Sequence, residues 1–334
     1  MPSAKPPKRI LVAVKTPTSA PRRALAKAAT LARATGASIE LFHAISDPVV
    51  GDTGRRTGKR ITRKEAIELI RADRQKQMDK LVRSALLRDV ACTATTEWDF
   101  PAQEALVRRA LASSADLVVL ESEHRAPGAH LLVAHSDWEL IRTCPVPVLL
   151  VRTARKYLKP KLLAAIDPQH AHDKPASLDK TLLATAATYA NALGGQLHVA
   201  HAYKPYPFFA PGHPGEYVSL TTVAPEIEQE HRAQLAAAMA KLAAAVEVPR
   251  TRQHLVMGTP EVELTAFAKK LGAAIVVMGA VSRSGLKRLF IGHTAQKALE
   301  RMPCDVLVVK PKSFKSPISK SSRPFGPITG FTVY

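Results

Sequence analysis

Asp167 closes the apolar run that begins at Lys161, and a second apolar run, Ala273 to Ala280, opens into a loop carrying Gly279, Arg283, Lys287, Arg288, Gly292 and Thr294. This set of residues suits an anion. Gly292 stands immediately before a helical pattern, where free backbone amides and the helix dipole attract phosphate. Thr294 adds a hydroxyl donor, the three basic side chains add positive charge, and Asp167 is placed to accept a hydrogen bond from a base or ribose. Plainer readings stand beside this one: a glycine after a buried strand serves a tight turn, and Asp167 followed by Pro168 forms an Asx-turn.

Other chemistry fails on spacing. Thr53 to Arg60 has threonine where a phosphate-binding Gly-x4-Gly-Lys-Ser/Thr loop needs glycine and arginine where it needs a hydroxyl, so it reads as a basic loop. No Gly-x-Gly-x-x-Gly follows the first strand of either half. His170 and His172 lack further ligands at fixed spacing, so no metal is expected. His198 and His201 are three apart on a strand and point to opposite faces. Cys144 before Pro145 reads as core, and Cys92, Cys144 and Cys304, odd in number and far apart, read as buried small hydrophobes.

The elements that must position the candidate site come from a duplication. The stretch from His135 to Val151 aligns with that from His293 to Val309, Asp116–Leu120 with Ala274–Met278 at the same offset, and Ile10–Lys15 with Leu162–Asp167 at a slightly shorter one. In each copy short Val/Ile/Leu runs alternate with helical patterns. In the second, the spacing predicts strands at Lys161–Asp167, Gln196–Tyr203, Thr251–Met257, Ala273–Ala280 and Cys304–Lys310. Helices fall over Leu178–Leu193, about Pro225–Val246, from Pro260 onward, and over Thr294–Met302. This alternation means two tandem doubly wound, Rossmann-like α/β domains with parallel sheets, residues 8–153 and 159–311, followed by a basic tail, 312–334. Ligands in such sheets bind beyond the carboxyl ends of the strands.

Composition narrows the class. The chain has 334 residues, 46% hydrophobic, 23% charged and 5% aromatic, which fits folded domains rather than disorder. No apolar run is long enough to span a membrane and no secretory leader is visible, so a cytoplasmic protein is expected. The net charge of +20 divides evenly between residues 1–155 and 156–334. Its local concentrations, Arg55 to Lys64 and Lys310 to Arg323, hold one aromatic residue between them, Phe314, and no series of aromatic residues to stack successive bases, so no specific nucleic-acid partner is expected.

At the loop residues the chain resembles the universal stress protein family, whose phosphate loop has the pattern Gly, two residues, Gly, nine residues, Gly, Ser or Thr. Gly279, Ser282, Gly292, His293 and Thr294 keep that spacing, with Ser282 for the second glycine and His293 for the hydroxyl residue. Two domains in one chain, Asp137-Trp138 after the first loop and a Lys310-Pro311 close are similar to the tandem E-type branch of the family. The resemblance implies the adenine nucleotide alpha hydrolase-like version of the fold and an adenine nucleotide, ATP or a similar one, with Mg accompanying it. It implies contacts through Ala165, Ile166, Asp167, Val199, Gly279, Val281, Ser282, Gly292, His293, Thr294 and Ala295. In the first copy Glu121 stands at the position of Gly279 and Lys15 at that of Asp167, so that site is expected to be degenerate.

The expected function is a non-enzymatic stress-response protein whose second domain binds an adenine nucleotide or a related small anionic metabolite. An interaction scaffold with protein partners and two vestigial sites is the alternative. Slow ATP hydrolysis stands third, with no general base beyond His293. A different ligand at the loop Lys204–Gly215, lined by Tyr206, Phe208 and Phe209, competes with the nucleotide. The two halves are expected to pair through their last strands, Val146–Arg152 and Val306–Lys310, as an intramolecular pseudo-dimer, because a terminal apolar strand left alone is an open sheet edge.

Overall fold

The structure is a computed structural model and describes residues 4–45, 63–122, 135–169, 177–204, 225–280 and 293–321. The basic loop at 55–62, His170 and His172, the loop at 205–224, residues 281–292 and the end of the basic tail lie outside the described residues.

Two compact units are present. The first contains β1 (Arg9–Ala13), α1 (Arg22–Thr35), β2 (Ser38–Ile45), α2 (Arg63–Val82), β3 (Cys92–Trp98), α3 (Ala102–Ala112), β4 (Leu117–Glu121) and α4 (His135–Thr143). Its strands are parallel in the order β3-β2-β1-β4. β1 and β4 are almost wholly buried apolar runs, which is what a sheet covered on both faces demands.

The second unit contains β5 (Val148–Val151), β6 (Lys161–Ala165), α5 (Leu178–Ala192), β7 (Gln196–Tyr203), α6 (Pro225–Ala244), β8 (Gln253–Met257), α7 (Pro260–Leu271), β9 (Ile275–Gly279), α8 (His293–Arg301) and β10 (Asp305–Val309). A 3-10 turn at Arg250–Arg252 replaces the first residues of the strand expected from Thr251. The order is β5-β10-β9-β6-β7-β8, with α5 packed on α6 and α7 on α8. Thr259 and Pro260 open α7 with Glu261 and Glu263 in its first turn, as the sequence pattern requires.

The last strands of the two repeats pair with each other, as their apolar runs led one to expect. β5 and β10 pair antiparallel, with Val148, Leu149 and Leu150 opposite Val308, Leu307 and Val306. β5, the last strand of the first sequence repeat, therefore lies in the unit built mainly from the second, and gives β10 the neighbour that an apolar edge needs.

Gly194 and Gly195 end α5 for two separate reasons. Gly194 adopts φ +59°, a left-handed conformation, while a side chain on Gly195 would strike the Pro160 carbonyl oxygen, to which Gln196 N–H bonds at 2.9 Å. That approach starts β7 in register with β6. The cysteine reading also needs a correction: Cys144 and Cys304 are buried, but Cys92 is half-buried because it begins β3 at the border of its sheet.

Candidate functional site

In the second unit β6 and β9 are parallel neighbours, with Ala165 opposite Met278. The chain leaves β6 for β7 on one side and leaves β9 for β10 on the other, so connections diverge beyond Ala165 and Gly279. β9 and β10 are parallel, so α8 between them runs back from the carboxyl edge and its first turn, His293 to Ala295, starts there. That turn contains no acidic residue. The topology thus brings Ala165, Ile166, Asp167 and Gly279 to the edge where α8 begins. Val281, Ser282, Gly292 and the basic residues Arg283, Lys287 and Arg288 lie outside the described residues.

Local bonds fix the end of β6. Ile166 N–H donates to the Ala200 carbonyl at 3.0 Å, and His201 Nδ1 lies 3.0 Å from the Ile166 carbonyl oxygen. Asp167 is half-buried, and its N–H reaches Asp179 Oδ2 in the first turn of α5 at 3.3 Å. Val199 is fully buried within β7, so its side chain belongs to the core beneath the edge.

Gly279 has a packing role. A Cβ there would stand 2.7 Å from Leu178 Cδ2, and Leu178, the first residue of α5, is fully buried. The absent side chain admits leucine from the helix, which accounts for glycine at this position without any ligand.

The first unit answers the same geometry with charge. Glu121, at the end of β4, accepts from the Ala24 amide at 3.0 Å and pairs with Arg23 at 2.9 Å, thereby holding the first turn of α1. Lys15, beyond β1, pairs at 2.9 Å with Asp137, a 2% exposed carboxylate in the first turn of α4. The expectation named Glu121 and Lys15 as departures from a phosphate site. Their bonding partners were missed, although Asp137 and Ala295 sit at corresponding positions of the repeat. His43 Nδ1, 2.8 Å from the Val14 carbonyl, repeats the tie made by His201.

His198 and His201 point to different partners, as strand alternation requires. His198 stacks on His254, Nδ1 to Nε2 3.0 Å, and His254 packs on Phe267. Burial, then the neighbouring His254, Arg252 and Lys161, pushes His198 down to about 4; burial also lowers His254.

At the carboxyl ends of β7 and β8, Tyr203, Glu228, Gln229, Arg232, Leu255 and Met257 line a cavity of about 490 Å³. Tyr203 donates its hydroxyl to Glu228 Oε1 at 2.9 Å, and burial together with that carboxylate raises its pKa. No motif pointed to these residues, because they come from two strands and a helix. A second cavity, about 270 Å³, lies in the first unit among Arg9, Glu40, Thr93 and Arg109, where Arg109 is already paired with Glu40 and Glu97. Among the described residues no three His, Cys, Asp or Glu side chains are grouped to hold a metal, and no helix is long and apolar enough to cross a membrane.

Residues 6–152 and 161–310 each match the model of the Usp family, the universal stress protein family. The chain belongs to that family. Two universal stress protein domains in tandem account for the repeat. The chain is 27% identical over 217 residues to universal stress protein E of Salmonella typhi, covering 64% of this chain and 67% of that one. It is 26% identical over 220 residues to a universal stress protein E homologue of Haemophilus influenzae, with 64% and 68% covered. Among solved structures, the fold resembles that of the protein PA1789 of Pseudomonas aeruginosa PAO1, described as functionally unknown (TM-score 0.67, 22% identity, 92% and 94% of the chains covered). It also resembles that of a universal stress protein from Archaeoglobus fulgidus (TM-score 0.62, 13% identity, 91% and 98% covered).

Proposed function

We propose that this universal stress protein serves the stress response by binding an adenine nucleotide, ATP in first place, or a related small anionic metabolite at the carboxyl edge of β6 and β9, without turning it over. The observation that carries this reading is the contrast between the repeats. In the first, Glu121 at the end of β4 sets its carboxylate on the Ala24 amide of α1 and Asp137 stands in the first turn of α4; the second has Gly279 and Ala295 in their places. A carboxylate at a helix N-terminus holds the place an anionic ligand would take, and the first turn of α8, with Ala295 where α4 has Asp137 and no acidic residue, leaves that place to a phosphate.

In this reading Asp167 receives the base or ribose, and the loop through Ser282 and Gly292 with the α8 first turn receives the phosphates. Ser282 and His293 depart from the family pattern. A magnesium ion would arrive with the phosphates of the nucleotide. No step of hydrolysis is assigned to any residue. One observation favours the vestigial-site alternative, in which the protein is an interaction scaffold: Leu178 fills the space beside Gly279.

Equilibrium dialysis of the full chain against radiolabelled ATP tests the reading. Asp167→Ala and Gly292→Glu should each abolish binding, the first by removing the acceptor, the second by setting a carboxylate among the phosphate amides. Glu121→Ala should leave affinity unchanged. Absence of ATP binding by the wild type would favour the scaffold. An effect of Glu121→Ala as large as that of Gly292→Glu would move the site to the first domain.

A further inference from the structure

We infer that the cavity beside α6 is a second ligand site, separate from the nucleotide reading, and that it takes an aromatic α-amino acid in its zwitterionic form. Glu228 and Arg232 both line the cavity and stand one helical turn apart, yet no ion pair joins them, although that spacing on a helix ordinarily allows one. Glu228 is held through one oxygen only. Oε1 accepts the Tyr203 hydroxyl at 2.9 Å, while Oε2 is buried and has no hydrogen-bond partner. A buried carboxylate oxygen left in this state is costly, and a ligand N–H donor would relieve it. The exposed guanidinium of Arg232 supplies the opposite charge on the same wall.

The remaining walls specify the body of the ligand. Tyr203 presents an aromatic ring, already set edge-on to His231, and Leu255 and Met257 add apolar surface. Met257 is 58% exposed at the end of β8, although it is a large thioether of the kind that packs well on aromatic rings. A volume of about 490 Å³ falls within the range of small-ligand sites. An ammonium for Glu228, a carboxylate for Arg232 and an aromatic ring for Tyr203 and Met257 together describe an aromatic amino acid.

Calorimetric titration of the full chain with three probes of one shape tests this: L-phenylalanine, 2-phenylethylamine, which lacks the carboxylate, and 3-phenylpropanoate, which lacks the amine. Phenylalanine should bind at least tenfold more tightly than either. Glu228→Gln should cancel its advantage over phenylpropanoate, and Arg232→Met its advantage over phenylethylamine. Met257→Lys, a change at an exposed position, should weaken all three probes without loss of the folded state. Failure of phenylalanine to bind at millimolar concentration, equal binding of the three probes, or binding unaltered by both Glu228→Gln and Arg232→Met would overturn the proposal. ATP titrated in parallel reports on the nucleotide site alone, so either inference can fail without the other.

Discussion

Tyr157 donates its hydroxyl hydrogen to Asp305 Oδ2 at 2.7 Å, with both side chains buried. The other carboxylate oxygen accepts the backbone amides of Arg152 and Thr153 at 2.8 and 2.9 Å and the Thr153 hydroxyl at 3.2 Å. Arg152, itself buried, sends its guanidinium to the carbonyls of Leu299 and Glu300 at the end of α8, where the helix dipole welcomes a cation. One aspartate at the start of β10 thus ties down the segment that follows β5.

Tyr157→Phe should cost about 1–3 kcal/mol, the range for removing one partner of a buried hydrogen bond to a charged group. Asp305→Ala should cost more, because it removes the acceptor for two amides and two hydroxyls together. Urea unfolding of the full chain measures both. A loss under about 1 kcal/mol for Asp305→Ala would show that the segment after β5 is held by other contacts.

The His198–His254 pair predicts an acid-sensitive stability. Folding lowers the His198 pKa from 6.5 to about 4, so the folded protein binds fewer protons than the unfolded chain between those values. The contribution is fully present above about pH 6.5 and is lost as the pH falls toward 4, with a magnitude on the order of 3 kcal/mol. His198→Leu should fall less in unfolding free energy between pH 7 and pH 5 than the wild type does. Parallel curves for the two proteins would remove this pair as the cause.

Gly279→Ala should destabilise the second unit by about 1–3 kcal/mol, through the contact of the new methyl group with Leu178. Leu178→Ala in the same chain should recover part of that loss, since it vacates the space. The coupling between the two changes in thermal unfolding is the readout; simple additivity would mean that Gly279 does not owe its identity to α5.

Glu121→Ala should lower stability by about 1–2 kcal/mol, because it removes a carboxylate that caps α1 and pairs with Arg23. Glu121→Gln, which retains an acceptor for the Ala24 amide, should cost less. Denaturation midpoints of the two variants separate the roles of the cap and the charge; equal losses would assign the whole effect to the charge.

The duplication, the alternation of strands with helices and the approximate position of each described strand and α-helix of the second repeat were legible in the amino-acid order, because they depend on local periodicity and on the comparison of the chain with itself; the 3-10 turn at Arg250–Arg252 was not. The arrival of Ala165, Ile166, Asp167 and Gly279 at the carboxyl edge was legible for the same reason: strand ends follow from the apolar runs. Tertiary structure alone decided what those residues touch. That Gly279 admits Leu178, that Glu121 caps α1, that Lys15 meets Asp137, and that Tyr203, Glu228 and Arg232 enclose one cavity all depend on partners from different elements. That β5 and β10 would pair was legible in their apolar runs; the antiparallel register, with Leu149 opposite Leu307, was not. An apolar run announces that a strand must be covered, but the register in which its neighbour covers it is chosen by how the folded chain brings the two edges together.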